Sequence, residues 1–189
     1  MFMKNSLVIF ILGGIFLLVA IVIGYIYIPH LDQVNGTQTI SDLSLDLPVK
    51  RIDLRYIDGG IIPFCNDNET TGITFEVKPN AEVYSSTEGA IVKVEDNRVT
   101  VNPKHGVDIE YSNLKDISVS TGDFVTVGSL LGHTVDNSVL LSVININDDI
   151  YECPYIYFTD DVKLIVDDIY NYSDYSNINI CNCNILKFK

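Results

Sequence analysis

The sequence predicts a mainly β domain, a sandwich or barrel, carried behind one N-terminal transmembrane helix. Three observations predict it. An unbroken apolar run lies near the N-terminus, the region after it consists of short β-branched runs punctuated by Gly, Asn, Asp and Pro, and that region shows no competing helical periodicity.

Residues 1–6 form a short tail with a single charge, Lys4. Residues 7–28 contain no charge and, as a helix of about 33 Å, match the hydrocarbon core of a bilayer. A cleavable signal peptide has a shorter apolar region followed by small residues, and no cysteine follows here to receive a lipid, so the run reads as a retained signal anchor. With Lys4 on the cytoplasmic side, everything after the span is expected outside the cytoplasm. Residues 29–57 mix polar and apolar character without period and read as a stalk whose later part holds at most one strand. Residues 58–158 carry the strand-like runs, among them GITFEV, AIVKVEDN, VTVNP, VDIEYS and VLLSVININ. Asp96-Asn97 lies between two such runs, where a left-handed Asn would close a hairpin. Gly122 and Gly128 bracket another short strand, and Asp123 is placed to bond the turn backbone. Residues 159–189 form a C-terminal extension whose composition admits a strand, a helix or a loose tail.

The net charge is −13, and the part after the anchor holds all 25 acidic residues and all but one of the 12 basic ones. Such a surface repels phosphate backbones and anionic lipid, which excludes nucleic acid as a partner. Four cysteines, Cys65, Cys153, Cys181 and Cys183, allow three pairings in an oxidising compartment. Cys181 and Cys183 are too close in sequence for an unstrained mutual bond, so the tail is expected to bond back to Cys65 or Cys153. Read as metal ligands, the same pair lacks a second pair nearby.

The order of the runs carries a resemblance. GGIIPF is followed by TTGITFEVKPNAEVYSSTEGAIVKV, then by YSNLKDISVSTGDFVTVGSLLG, then by SVLLSVININDDIYECPYIYF. Over residues 58–158 this resembles the lysostaphin-type (M23 or LytM) peptidase domain, with Tyr111 to Gly132 the strongest segment and Glu88 to Val92 in support. The resemblance implies a duplicated hybrid motif of β-strands. In that family the His and Asp of an H-x-G-x-D motif and the second His of an H-x-H motif hold zinc, while two further histidines assist the attacking water. Threaded by Gly72, the first pair of positions carries Thr70 and Thr74. The Y-x-H-L position carries Asn113, and Leu140 and Ser142 stand at the H-x-H pair. Zinc needs imidazole, thiolate or carboxylate and an open position, so these five residues imply neither a metal nor another cofactor. Leu140 would also desolvate the site without offering a lone pair.

The other candidate ligands are poorly placed. His30 lies beside the expected membrane, and His105 and His133 read as solvated turn residues on separate loops. The carboxylate pairs Asp148-Asp149, Asp160-Asp161 and Asp167-Asp168 would point to opposite faces of a strand and read as solvated surface. Barrels that carry biotin or lipoate share part of the glycine rhythm but present a lysine at a hairpin tip, whereas Lys93 sits within a strand. Export adaptors of similar layout need long helical hairpins, which are missing.

The expectation is therefore a membrane-anchored, catalytically inactive relative of these peptidases that acts as a binding or scaffold module in the cell envelope. The resemblance extends to sporulation proteins of the engulfed forespore membrane and to activators of cell-wall amidases. An envelope protein or a cell-wall glycan would be the partner, and Thr70, Thr74, Asn113 and Ser142 would line the groove. The enzyme alternative is a peptidoglycan hydrolase with altered ligands that depends on His105 or His133. A third reading is an envelope protein of a large DNA virus, suggested by Asn-x-Ser/Thr sequons at Asn35, Asn68 and Asn171.

Overall fold

Alternating burial along the strands builds the architecture. A computed structural model describes residues 43–55, 60–64, 71–171, 179–181 and 186–187. The expected span over 7–28, the tail before it and residues 29–42 lie outside the described residues, as do Thr70, Cys65 and Cys183. Among the described residues no helix is long and apolar enough to cross a membrane.

In chain order the strands are β1 (Ile61–Ile62), β2 (Ile73–Glu76), β3 (Glu82–Tyr84), β4 (Gly89–Glu95), β5 (Arg98–Asn102) and β6 (Val107–Ser112). They continue as β7 (Leu114–Lys115), β8 (Phe124–Val125), β9 (Leu130–Thr134), β10 (Ser138–Asn145) and β11 (Ile150–Glu152). Helix α1 (Asp160–Tyr170) and β12 (Leu186–Lys187) follow. Nine strands form one sheet whose main order is β1-β2-β10-β6-β5-β4-β8, with β11 paired to β10 and β12 to β11. The other three form a small sheet in the order β3-β9-β7.

One face of the large sheet is apolar and buried: Ile73 and Phe75 from β2, Val139, Leu141 and Val143 from β10, Ile109 and Tyr111 from β6, and Val99 and Val101 from β5. Cross-strand partners agree with this, since Leu141 lies opposite both Ile73 and Tyr111. Period-two alternation then sends the intervening residues to the opposite face, where the candidate site lies. Tyr111 also crosses the core, its hydroxyl accepting the Ser86 N–H at 2.7 Å.

Gly122 and Gly128 do have positive φ, +97° and +81°, and Asp123 accepts from the Ser120 N–H at 2.8 Å. The β4–β5 hairpin turns at Asp96-Asn97 as expected, with Glu95 opposite Arg98. Asn97, however, is absent from the residues with positive φ, which are Asn80, Lys104, Asn113, Asp116 and Asp149. The left-handed expectation is thus corrected. Asn97 is held by a long-range bond instead, its carbonyl accepting the Leu114 N–H at 2.9 Å.

Residues 43–55, expected within a stalk, pack onto the domain. Leu43, Leu45, Val49 and Leu54 are buried, and single bridges join Leu45 to Phe158, Val49 to Val83 and Leu54 to Val77. A 3-10 turn at Arg51–Asp53 lets the chain change direction between the last two bridges. Irregular segments of this kind have no period, so their burial is set by the surface they meet.

The C-terminal extension contains α1. Thr159 caps it by accepting the Val162 N–H at 3.3 Å, and Asp160 and Asp161 place negative charge in the first turn. Val162, Val166, Ile169 and Tyr170 form its buried stripe. This corrects the reading of the carboxylate pairs: Asp160-Asp161 and Asp167-Asp168 are exposed on a helix, and Asp148-Asp149 in a turn, so strand alternation is not what exposes them. Asp167 accepts from the Tyr155 hydroxyl at 2.8 Å, and Asp168 lies 3.7 Å from Arg51. Beyond α1, Cys181 is bonded to Cys153 with a Cα–Cα distance of 5.6 Å. A backbone bond of 3.1 Å from Phe64 N–H to the Ile180 carbonyl holds the same stretch against the start of the domain.

Candidate functional site

Two neighbouring cross-strand rows on the second face of the large sheet assemble the site. In the first row Arg98 lies opposite Ser112, Ser112 opposite Leu140, Leu140 opposite Thr74, and Thr74 opposite Ile62. In the second, Thr100 lies opposite Glu110 and Glu110 opposite Ser142. Directly paired residues share a face, as do residues two apart in one strand, so Thr74, Leu140 and Ser142 lie together. Asn113 joins them from the end of β6, its side-chain amide donating to Ser138 Oγ at 3.5 Å. The backbone there is left-handed, with φ 69°, and the Asn113 carbonyl accepts the Val135 N–H at 2.8 Å.

Their accessibility differs from expectation. Thr74, Asn113 and Leu140 are half-buried, but Ser142 is 0% exposed and its hydroxyl has no hydrogen-bond partner among the described residues. Ser142 Oγ occupies the space beside Gly72, 2.6 Å from where a Gly72 Cβ would sit. Ser142 therefore does not line an accessible groove, and a ligand on this face would meet Thr74, Leu140 and Asn113. Surface cavities of ≈ 580 Å³ and ≈ 390 Å³ lie elsewhere, and none of these four residues lines either one.

Sequence reasoning missed Arg98, Glu110 and Tyr151, which belong to the same face. Glu110 is only 8% exposed, and Arg98 Nη1 donates to its Oε2 at 3.1 Å while Ser112 Oγ donates to its Oε1 at 3.2 Å. A carboxylate at such burial needs a cation or donors, and here it has both. Tyr151 bonds the Thr71 side chain, and burial pushes its phenol upward, with the Glu110 charge acting in the same direction. An i, i+2 charge pattern within a strand is the one sequence signal for Glu110 and Ser112, and it is too common to single them out.

A zinc ion fits this donor set badly. Thr74, Ser142, Asn113 and Leu140 offer hydroxyls, an amide and an aliphatic side chain, and the buried carboxylate beside them, Glu110, is already engaged by Arg98 and Ser112. Among the described residues no three His, Cys, Asp or Glu side chains are grouped to hold a metal. His105 lies in the turn between β5 and β6. His133, expected in a solvated turn, lies instead within β9 of the small sheet, half-buried and opposite Glu82 and Lys115. Pairing with strands on both sides is what draws it out of solvent.

Several tyrosines tie the adjoining core to pH. Burial raises the phenol pKa of Tyr111, Tyr155 and Tyr157; Tyr155 is pushed up to about 12, helped by Asp167, and Tyr157 further, helped by its bond to Glu152. A group whose folded pKa lies above its unfolded value stabilises fully below the unfolded value, near 10, and loses that contribution as pH rises through the folded value. Stability should accordingly be flat near neutrality and fall from pH ~10 upward. Tyrosinate absorbance and circular dichroism followed together should then show the last tyrosines ionising only as the fold is lost, whereas ionisation of all 11 tyrosines near pH 10 with the circular dichroism of the fold unchanged would contradict this.

Residues 68–141 match the profile of peptidase family M23, a stretch that includes Thr70, Thr74, Asn113 and Leu140 and stops one residue short of Ser142. No curated protein matches the chain. Helicobacter pylori Csd3, in its orthorhombic crystal, is similar at TM-score 0.51 and 16% identity over 62% of this chain and 35% of that one. The SpoIIQ–SpoIIIAH pore-forming complex matches at TM-score 0.49 and 19% identity, over 66% of this chain and 96% of that one. The M23 metalloprotease pseudoalterin, from the deep sea, matches at 0.48 and 14%, over 62% and 79%. The Csd3 likeness is one of fold, and this chain spans only about a third of that protein's length.

Proposed function

Because the chain carries an M23 peptidase-like domain, we propose that it serves as a non-catalytic binding or scaffold module. In this reading residues 7–28 anchor it in a membrane, and the β domain stands outside the cytoplasm in the cell envelope. One observation carries the proposal. Leu140 lies opposite Thr74 with Ser142 two residues along the same strand and Asn113 nearby, and the resemblance would put the family's metal site at these residues, none of which is a strong metal donor. A sheet face that offers hydroxyls, an amide and an aliphatic side chain instead of imidazole, thiolate or carboxylate is suited to holding a partner rather than to polarising a water. The partner would be an envelope protein or a cell-wall glycan, met by hydrogen-bonding side chains and by open strand edges.

The full-length chain, purified in detergent and supplied with zinc, should retain substoichiometric metal by elemental analysis and leave peptidoglycan uncut. Stoichiometric zinc with turnover that disappears in His105→Ala or His133→Ala would replace this proposal with a hydrolase using altered ligands. Crosslinking in the native membrane then identifies the partner: one envelope protein in fixed ratio, or wall fragments.

A further inference from the structure

The larger cavity, ≈ 580 Å³, is cationic in a chain of net charge −13. Arg55, Lys78 and Lys115 line it, with Asp136 as the one carboxylate in its wall. Lys78 lies 3.5 Å from Asp53, while Arg55 and Lys115 have no ion pair among the described residues. In a chain with twice as many acids as bases, two cations with no ion pair among the described residues, in a cavity with one carboxylate in its wall, mark a local excess of positive charge.

Four chain segments build the walls, and each is fixed by the backbone. Arg55 N–H donates to the Glu76 carbonyl at 3.0 Å, and Lys78 N–H to the Asp53 carbonyl at 2.9 Å. Across the cavity, Val77 N–H donates to the Asn137 carbonyl at 2.7 Å, and Thr134 Oγ1 ties the Ala81 N–H to the Asp136 carbonyl. Lys115 is held in β7 opposite His133. The backbone that carries the cations is therefore fixed, so binding has to order only their side chains. Pro79 and Val135 add apolar surface, and Asn80 and Asn137 add amides that both donate and accept, as a peptide backbone requires.

We propose that this cavity binds a short acidic peptide segment of a protein partner, its carboxylates pairing with Arg55, Lys78 and Lys115 and its backbone meeting Asn80 and Asn137. The negative field of the rest of the chain repels long polyanions and anionic lipid, so a ligand with a few charges confined to the cavity is favoured over either. The cations also come from separate segments rather than converging on a glycine-rich loop, which is how a single phosphate is usually cradled. This inference rests on the protein-binding role proposed above.

The test is fluorescence anisotropy of a labelled glutamate-rich hexapeptide with the full-length chain in detergent. Saturable binding is expected, and Arg55→Glu with Lys115→Glu should weaken it by about tenfold or more, while the charge-matched Lys93→Glu with Lys104→Glu pair should not. Equal loss in both pairs, or displacement by inorganic phosphate at the peptide's own concentration, would overturn the proposal. So would the absence of binding. Mass spectrometry of the recovered peptide separates the two levels: an intact, unbound peptide refutes the cavity alone, and a cleaved one refutes the binding role itself.

Discussion

A Gly72→Ala variant is expected to lose about 1–3 kcal/mol of stability, with the denaturation midpoint falling at unchanged slope. Gly72 lies where β2 runs beside β10, and a Cβ there would press into the Leu141 backbone carbonyl and stand 2.6 Å from Ser142 Oγ. The obstructing atom is backbone, which cannot rotate away, so the strands must separate or shift. Separation would disturb the Leu140–Thr74 and Leu141–Ile73 pairs, and hence both the core face and the site face. Circular dichroism during urea titration checks this, the chain having no tryptophan. An unchanged midpoint would mean that the two strands do not approach this closely. Gly122→Ala is a useful contrast, since nothing lies within 4 Å of its Cβ position and only its φ of +97° opposes the change.

Removal of the Cys153–Cys181 bond is expected to cost about 3–4 kcal/mol, from the loop-closure entropy returned to the unfolded chain by a bridge with sequence separation 28. The closed loop contains α1, whose stripe of Val162, Val166 and Ile169 is part of the core. Cys153→Ser and Cys181→Ser should each show the full loss, and the double variant should show no more than either, because the two side chains make one bond. A reductant should lower the wild-type midpoint by the same amount and leave both variants unmoved. A double variant costing the sum of the singles, or a wild type indifferent to reductant, would show that the two cysteines are not paired. Because Gly72 and this bond act at different places, combining Gly72→Ala with Cys181→Ser should give nearly additive losses.

Much of the domain follows from short-range pattern. The runs around Ile73–Glu76, Val107–Ser112 and Ser138–Asn145 alternate or consist of β-branched residues, and each became a strand. Gly122 and Gly128 sit at turns that demand positive φ. That Leu140 and Ser142 share a face follows from their spacing in one strand, but only the pairing of β2 with β10 brings Thr74 beside them. Hairpin chemistry was less legible: Asp96-Asn97 marks the turn, but a bond from Leu114 helps set the geometry of Asn97.

By itself, then, the sequence determined the mainly β class and the punctuation of the strands, both of which depend on residue identity and on period-two order. The tertiary structure alone decided that residues 43–55 belong to the domain, that the extension folds as α1, that Ser142 is buried against Gly72, and that Arg98 neutralises Glu110 beside it. It alone also gathered Arg55, Lys78 and Lys115 around one cavity. These outcomes join residues distant in the chain. Burial, ion pairing and cavity shape depend on which surfaces meet, and no local pattern carries that information.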